Sequence, residues 1–148
     1  MGLFDNLFTD KGSGGRELTR QEAFAGILLG ASACDGHTAD AEVKSLFTAT
    51  ERMRLFENMS ANKWNTMMDV LLKFLNKEGP LKLVDRCAKS LPEGLRQTAF
   101  ANACDIVLAD GTVEDEEKEF LDHLQQALEL DRDVALNIVE VMIIKNKG

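Results

Sequence analysis

Apolar residues recur every three or four positions over most of this chain and almost nowhere alternate with polar ones. That is the period of a helix, whereas a half-buried strand needs a period of two. Phe24, Ile27, Leu28 and Ala31 form one such stripe, and a second runs through Val43, Leu46, Phe47 and Met53 over residues 39–53. Ser60 to Lys77 carries a third, with Trp64, Met67, Met68, Leu71, Leu72 and Leu75. A short helix is predicted from Leu81 to Lys89 and a long apolar one from Pro92 to Ala109. Val113, Phe120, Leu121, Leu124 and Leu128 mark a sixth helix, and Val134, Leu136, Ile138, Val139, Val141, Met142 and Ile143 the last. No segment reads as a convincing strand. The pattern predicts an all-α, single-domain bundle of about seven helices around one core.

Local signals place the ends of these elements. Thr19-Arg20-Gln21-Glu22 has the form of a capping box, in which Thr and Glu each satisfy a backbone N–H of the first turn. Gly79-Pro80 interrupts the third helix, Pro92 suits a first helical turn, and Asp131 is a good N-cap. The last helix ends among Lys145 and Lys147, as its dipole prefers. Residues 1–18 stand apart from the domain at 19–148. Leu3, Phe4, Leu7 and Phe8 have helical spacing and are followed by the flexible stretch Lys11-Gly12-Ser13-Gly14-Gly15. So short an amphipathic segment buries too little area to hold a membrane by itself, and docking on the protein's own core or on a partner is the expectation.

At 148 residues and 45% apolar, the chain can bury a real core without disulfide or metal staples. It has no apolar run near the ~18 residues of a membrane span and no basic, apolar secretory leader, so a cytoplasmic location is expected. Cys34, Cys87 and Cys104 are odd in number and lack close pairing, which reads as reduced, buried thiols rather than a disulfide framework or zinc knuckle. Net charge is −8. Between Asp110 and Asp122 the carboxylates of Asp110, Glu114, Asp115, Glu116, Glu117, Glu119 and Asp122 face only Lys118. Such a surface repels phosphate backbones, so nucleic acid is not an expected partner.

The candidate chemistry lies in a spacing that occurs twice: Asp-Gly, five residues, Glu. Asp35-Gly36 leads to Glu42, and Asp110-Gly111 leads to Glu117. Chance would give one such spacing about 0.05 times in a chain of this length. Asp40 matches Asp115, Leu46 matches Leu121, and each Asp-Gly follows a run of small and apolar residues. An internally duplicated helix, Asp-Gly turn, helix unit is therefore expected. The spacing equals the second half of an EF-hand calcium loop, but Ala31, Ala33, Ile106 and Leu108 stand where the first-half ligands belong. Neither unit is a complete EF-hand. Asp35, Asp40, Glu42, Asp110, Asp115 and Glu117 remain candidate ligands for Ca²⁺, Mg²⁺ or Mn²⁺, in weak sites or in a site completed by a second segment or copy. Residues two apart on a helix cannot point the same way, so Glu42 is preferred with Asp35 and Glu117 with Asp110. The alternative is structural: Gly supplies a positive φ after one helix, and Asp and Glu satisfy the N–H groups of the next.

Other constellations are weaker. Cys34 and His37 flank the first Asp-Gly, but Ala109 and Thr112 stand there in the second unit. His123 follows Glu119 by four residues, whereas a di-iron bundle needs Glu-x-x-His. Met53, Met59, Trp64, Met67 and Met68 read as core filler or an adaptable groove. There is no phosphate loop, nucleophile elbow or other catalytic arrangement, so neither an enzyme nor an organic cofactor is expected.

Ala33-Cys34-Asp35-Gly36 with Glu42, and Leu108-Ala109-Asp110-Gly111 with Asp115, Glu116, Glu117 and Lys118, resemble the TerB family associated with tellurite resistance. The resemblance runs through nearly all of the chain after Thr19 and is closer in the second unit, where Lys118 stands in place of Val43. It implies a cytoplasmic, pseudo-duplicated helical module, sometimes at the inner face of the membrane. It also implies a link to metal or chemical stress, metal binding through acidic residues, and contact with other stress-response proteins. The competing expectation is a metal-free scaffold whose acidic face, Glu114, Glu116, Glu119 and Asp122, engages a basic partner.

Overall fold

The computed structural model describes residues 18–34, 46–109 and 111–147. They form six helices: α1 (Arg20–Ala33), α2 (Ala61–Glu78), α3 (Pro80–Ser90), α4 (Arg96–Val107), α5 (Asp115–Ala127) and α6 (Arg132–Lys145). A further helical stretch covers residues 46–50, and there is no strand among the described residues. The fold is an all-α bundle.

The capping box at the start of α1 is formed: Glu22 N–H donates to Thr19 Oγ1 at 3.1 Å, and Thr19 N–H donates to Glu22 Oε1 at 2.7 Å. Beyond it every residue from Glu22 to Ala31 is buried. α1 is therefore the axis of the bundle rather than an amphipathic surface helix, packed mainly on α3 and α4 with α2 alongside. Close approach explains its glycines. A Cβ at Gly26 would lie 2.3 Å from Cys87 Sγ of α3, and one at Gly30 would lie 2.9 Å from Val84 Cγ1 and 3.4 Å from the Phe120 ring of α5.

Trp64, Met67, Met68, Leu71 and Leu75 line the buried face of α2. Trp64 meets Phe47 and Phe56 with ring centroids 5.4 and 5.7 Å apart; Trp64, Met67 and Met68 are core, and Met53 and Met59 pack half-buried against it. Ser60 caps α2 through Lys63 N–H. At its other end Gly79 takes φ +92°, open to glycine alone at little cost, and Pro80 begins α3 directly.

Two boundaries and one apolar face differ from expectation. The stretch expected to be helical to residue 53 leaves the helix after Thr50, whose Oγ1 donates back to Leu46 O and Phe47 O, and Met53 is extended before a 3₁₀ turn at Arg54–Phe56. Pro92 does not open the long apolar helix. It precedes a 3₁₀ turn at Glu93–Leu95 containing Gly94, a poor helix former, and α4 begins at Arg96. α6 rests on α4 but leaves Leu136, Val141, Ile143 and Ile144 exposed, so its apolar residues do not all serve the core.

Candidate functional site

The second Asp-Gly unit is built from α4, a turn and α5. α4 closes with Leu108 N–H on Cys104 O, and Gly111 N–H then reaches Leu108 O at 3.1 Å. Gly111 sits at φ +82°, the left-handed conformation expected of the glycine in this spacing. Asp110 lies outside the described residues, as do Asp35, Gly36, His37, Asp40 and Glu42 of the first unit.

Glu114 is the N-cap of α5, and its backbone N–H donates to Glu117 Oε1 at 2.8 Å. Glu117 is 3% exposed, whereas the Asp115 side chain is fully exposed beside Lys118 Nζ at 4.0 Å. The two candidate ligands of α5 thus point in opposite directions, as their spacing requires. One oxygen of Glu117 is committed to holding the helix start, a role that a Glu three residues after the N-cap signals in sequence.

Glu116 and Glu119 turn to another face. Together with Phe120 they wall a groove of about 460 Å³, completed by Cys34 at the end of α1 and by Glu78, Gly79, Pro80, Leu81 and Lys82 at the junction of α2 and α3. Cys34 immediately precedes Asp35, and Glu116 immediately precedes Glu117. Residues flanking both copies of the repeated spacing therefore border one groove. Its position follows from packing, since the bare Gly30 draws α1 against Val84 and Phe120 and so carries Cys34 toward α5.

Asp122 takes a different direction, lining a smaller cavity of about 80 Å³ with Phe100, Gln125 and Arg132. Of the expected partner-binding carboxylates, Glu114 and Asp122 thus lie apart from the pair Glu116 and Glu119. The α2–α3 side of the groove is not signalled in the sequence. Glu78 and Lys82, 3.4 Å apart, lie far from the Asp-Gly units in the chain and carry no spacing signal that links them to α5.

The thiols also divide. Cys87 and Cys104 are buried, and desolvation pushes both thiols up, Cys104 to about 12 with a further push from Asp105. Cys34 is half-buried, with Sγ donating to Ala31 O at 3.2 Å. His123 bonds Asp85 of α3 at 2.7 Å, a tie between helices rather than part of a di-iron arrangement. Among the described residues no group of three or more His, Cys, Asp or Glu side chains is gathered to hold a metal ion, and no helix is long and apolar enough to cross a membrane. No protein family, curated protein or solved structure matches this chain.

Proposed function

We propose that this chain is a TerB-like binding module of a metal or chemical stress response, which binds a divalent cation through its acidic Asp-Gly units and couples it to partner proteins. Asp35 and Glu42 of one unit and Asp110 and Glu117 of the other supply the carboxylates, with Asp40 and Asp115 at the edges. The observation that carries the reading is the groove shared by Cys34 and Glu116, which brings the flanks of the two units together. Each unit alone is half a calcium loop, and a site completed by both would have the oxygens that neither has singly. Hard carboxylates favour Ca²⁺, Mg²⁺ or Mn²⁺ and suit tellurite, an anion, poorly. No reaction is proposed. Calorimetric titration with these cations tests the reading, with wild type compared with Asp35→Asn, Glu42→Gln, Asp110→Asn and Glu117→Gln. Binding heat lost on substitution supports it, and heat indifferent to all four overturns it.

A second reading draws on one observation: Glu117 Oε1 already serves the Glu114 N–H. In that account the turns are structural and the acidic face alone recruits a basic partner. Asp110→Asn then leaves folding and cation response unchanged while partner capture weakens with added salt. A cation response lost in Asp110→Asn decides against this account.

A further inference from the structure

The walls of the groove differ in chemistry. Pro80, Leu81 and Phe120 form an apolar floor, and Glu78, Glu116 and Glu119 the acidic lip. Lys82 also borders the groove and compensates Glu78 at 3.4 Å. Among the described residues neither Glu116 nor Glu119 joins an ion pair, so two carboxylates of like sign stand beside an apolar slot. They are three residues apart on α5 and share one face.

An anion is repelled here, and a purely apolar occupant gains from the floor but strips water from the carboxylates. A hydrated ion gains from the lip and nothing from the floor. A cation on a long aliphatic stem uses both, because its methylenes lie along apolar surface while its head reaches charge. The volume of about 460 Å³ lies within the usual range for a ligand-sized cleft. We propose that this groove docks a lysine- or arginine-bearing segment of a partner protein, with the side-chain stem on Pro80, Leu81 and Phe120 and the cation between Glu116 and Glu119. The inference rests on the reading of this groove as a binding site and adds the chemistry of its occupant.

Cys34 supplies an intrinsic reporter, since it borders the groove while Cys87 and Cys104 are buried. The alkylation rate of Cys34 by iodoacetamide is followed by mass spectrometry on the full chain. The probe is a capped octapeptide of alternating lysine and alanine; the controls are the glutamate–alanine analogue, a diaminopropionate–alanine analogue of equal charge but shorter stem, and spermidine. The lysine peptide is expected to slow alkylation saturably. The exposed-site variant Glu116→Gln/Glu119→Gln, checked for an unchanged helical spectrum, is expected to weaken that protection about tenfold, as is a rise in salt from about 50 to 300 mM. Equal protection by the glutamate peptide, the short-stem peptide or spermidine overturns the proposal, as does full protection of the double variant or none of the wild type. Mn²⁺ titration of the same samples separates the two levels. Mn²⁺ binding without peptide protection defeats this inference alone, and absence of both defeats the cation reading as well.

Discussion

Glu117→Ala separates the two roles that Glu117 is given. The side chain is 3% exposed, and its Oε1 accepts the Glu114 N–H at 2.8 Å. Truncation to Ala removes a cap bond worth about 1 kcal/mol and one buried methylene worth about 0.8 kcal/mol. The expected loss is about 2 kcal/mol, which lowers Tm by about 4–8 °C in a domain of this size. Glu117→Gln keeps a carbonyl acceptor and nearly the same volume, so without cation its stability should stay within about 0.5 kcal/mol of wild type. Urea unfolding followed by circular dichroism reads both. With Mn²⁺ added at about 100 times its Kd, wild type gains about 2.7 kcal/mol and Glu117→Gln loses most of that gain. Glu117 has no such capping role if Glu117→Ala unfolds like wild type, or if Glu117→Gln falls as far as Ala in the absence of cation. Asp115→Asn is the control, and its fully exposed side chain predicts no resolved change in cation-free stability.

The remaining expectations concern packing, backbone and thiols. Gly26→Ala drives a Cβ into Cys87 Sγ and should cost about 1–3 kcal/mol, with Cys87→Ala recovering part of that in a double-mutant cycle; additive costs would contradict the close approach. Gly79→Ala and Gly111→Ala meet no neighbouring atom, so each should lose only the strain of a positive φ, about 1–3 kcal/mol, read by urea unfolding. Native alkylation at pH 8 should label Cys34 alone. Burial raises the Cys87 and Cys104 thiols, Cys104 to about 12, so their thiolates are scarce until the chain unfolds, and labelling of either at the Cys34 rate would contradict this.

The parts of the fold legible in the sequence were those fixed by short-range chemistry. Thr19 and Glu22 announced the start of α1, and Gly79-Pro80 announced the end of α2. The helical period of Trp64, Met67, Met68, Leu71 and Leu75 gave the buried face of α2 without ambiguity. Long-range closeness was hidden. Nothing local says that Gly26 receives Cys87 or that Gly30 receives Val84 and Phe120, and so α1 read as a one-sided helix although it is enclosed on all sides. The groove was hidden for the same reason, because Glu78 to Lys82 meets Glu116, Glu119 and Cys34 only through the packing of α3 on α1 and α5. In α5, that Asp115 and Glu117 diverge followed from spacing alone, while the burial of Glu117 and its service to the Glu114 N–H depended on packing and on which residue became the N-cap.

Both Asp-Gly units are proposed to contribute carboxylates to one cation, with their flanking residues Cys34 and Glu116 at the groove. Paramagnetic broadening of backbone amide signals by substoichiometric Mn²⁺ tests this most directly. Signals of Cys34 and of Glu116 to Phe120 should broaden together at the same Mn²⁺ concentration, and Glu42→Gln/Glu117→Gln should abolish both effects. Broadening confined to one unit, or spread evenly over the acidic surface and unchanged in the double variant, would contradict it.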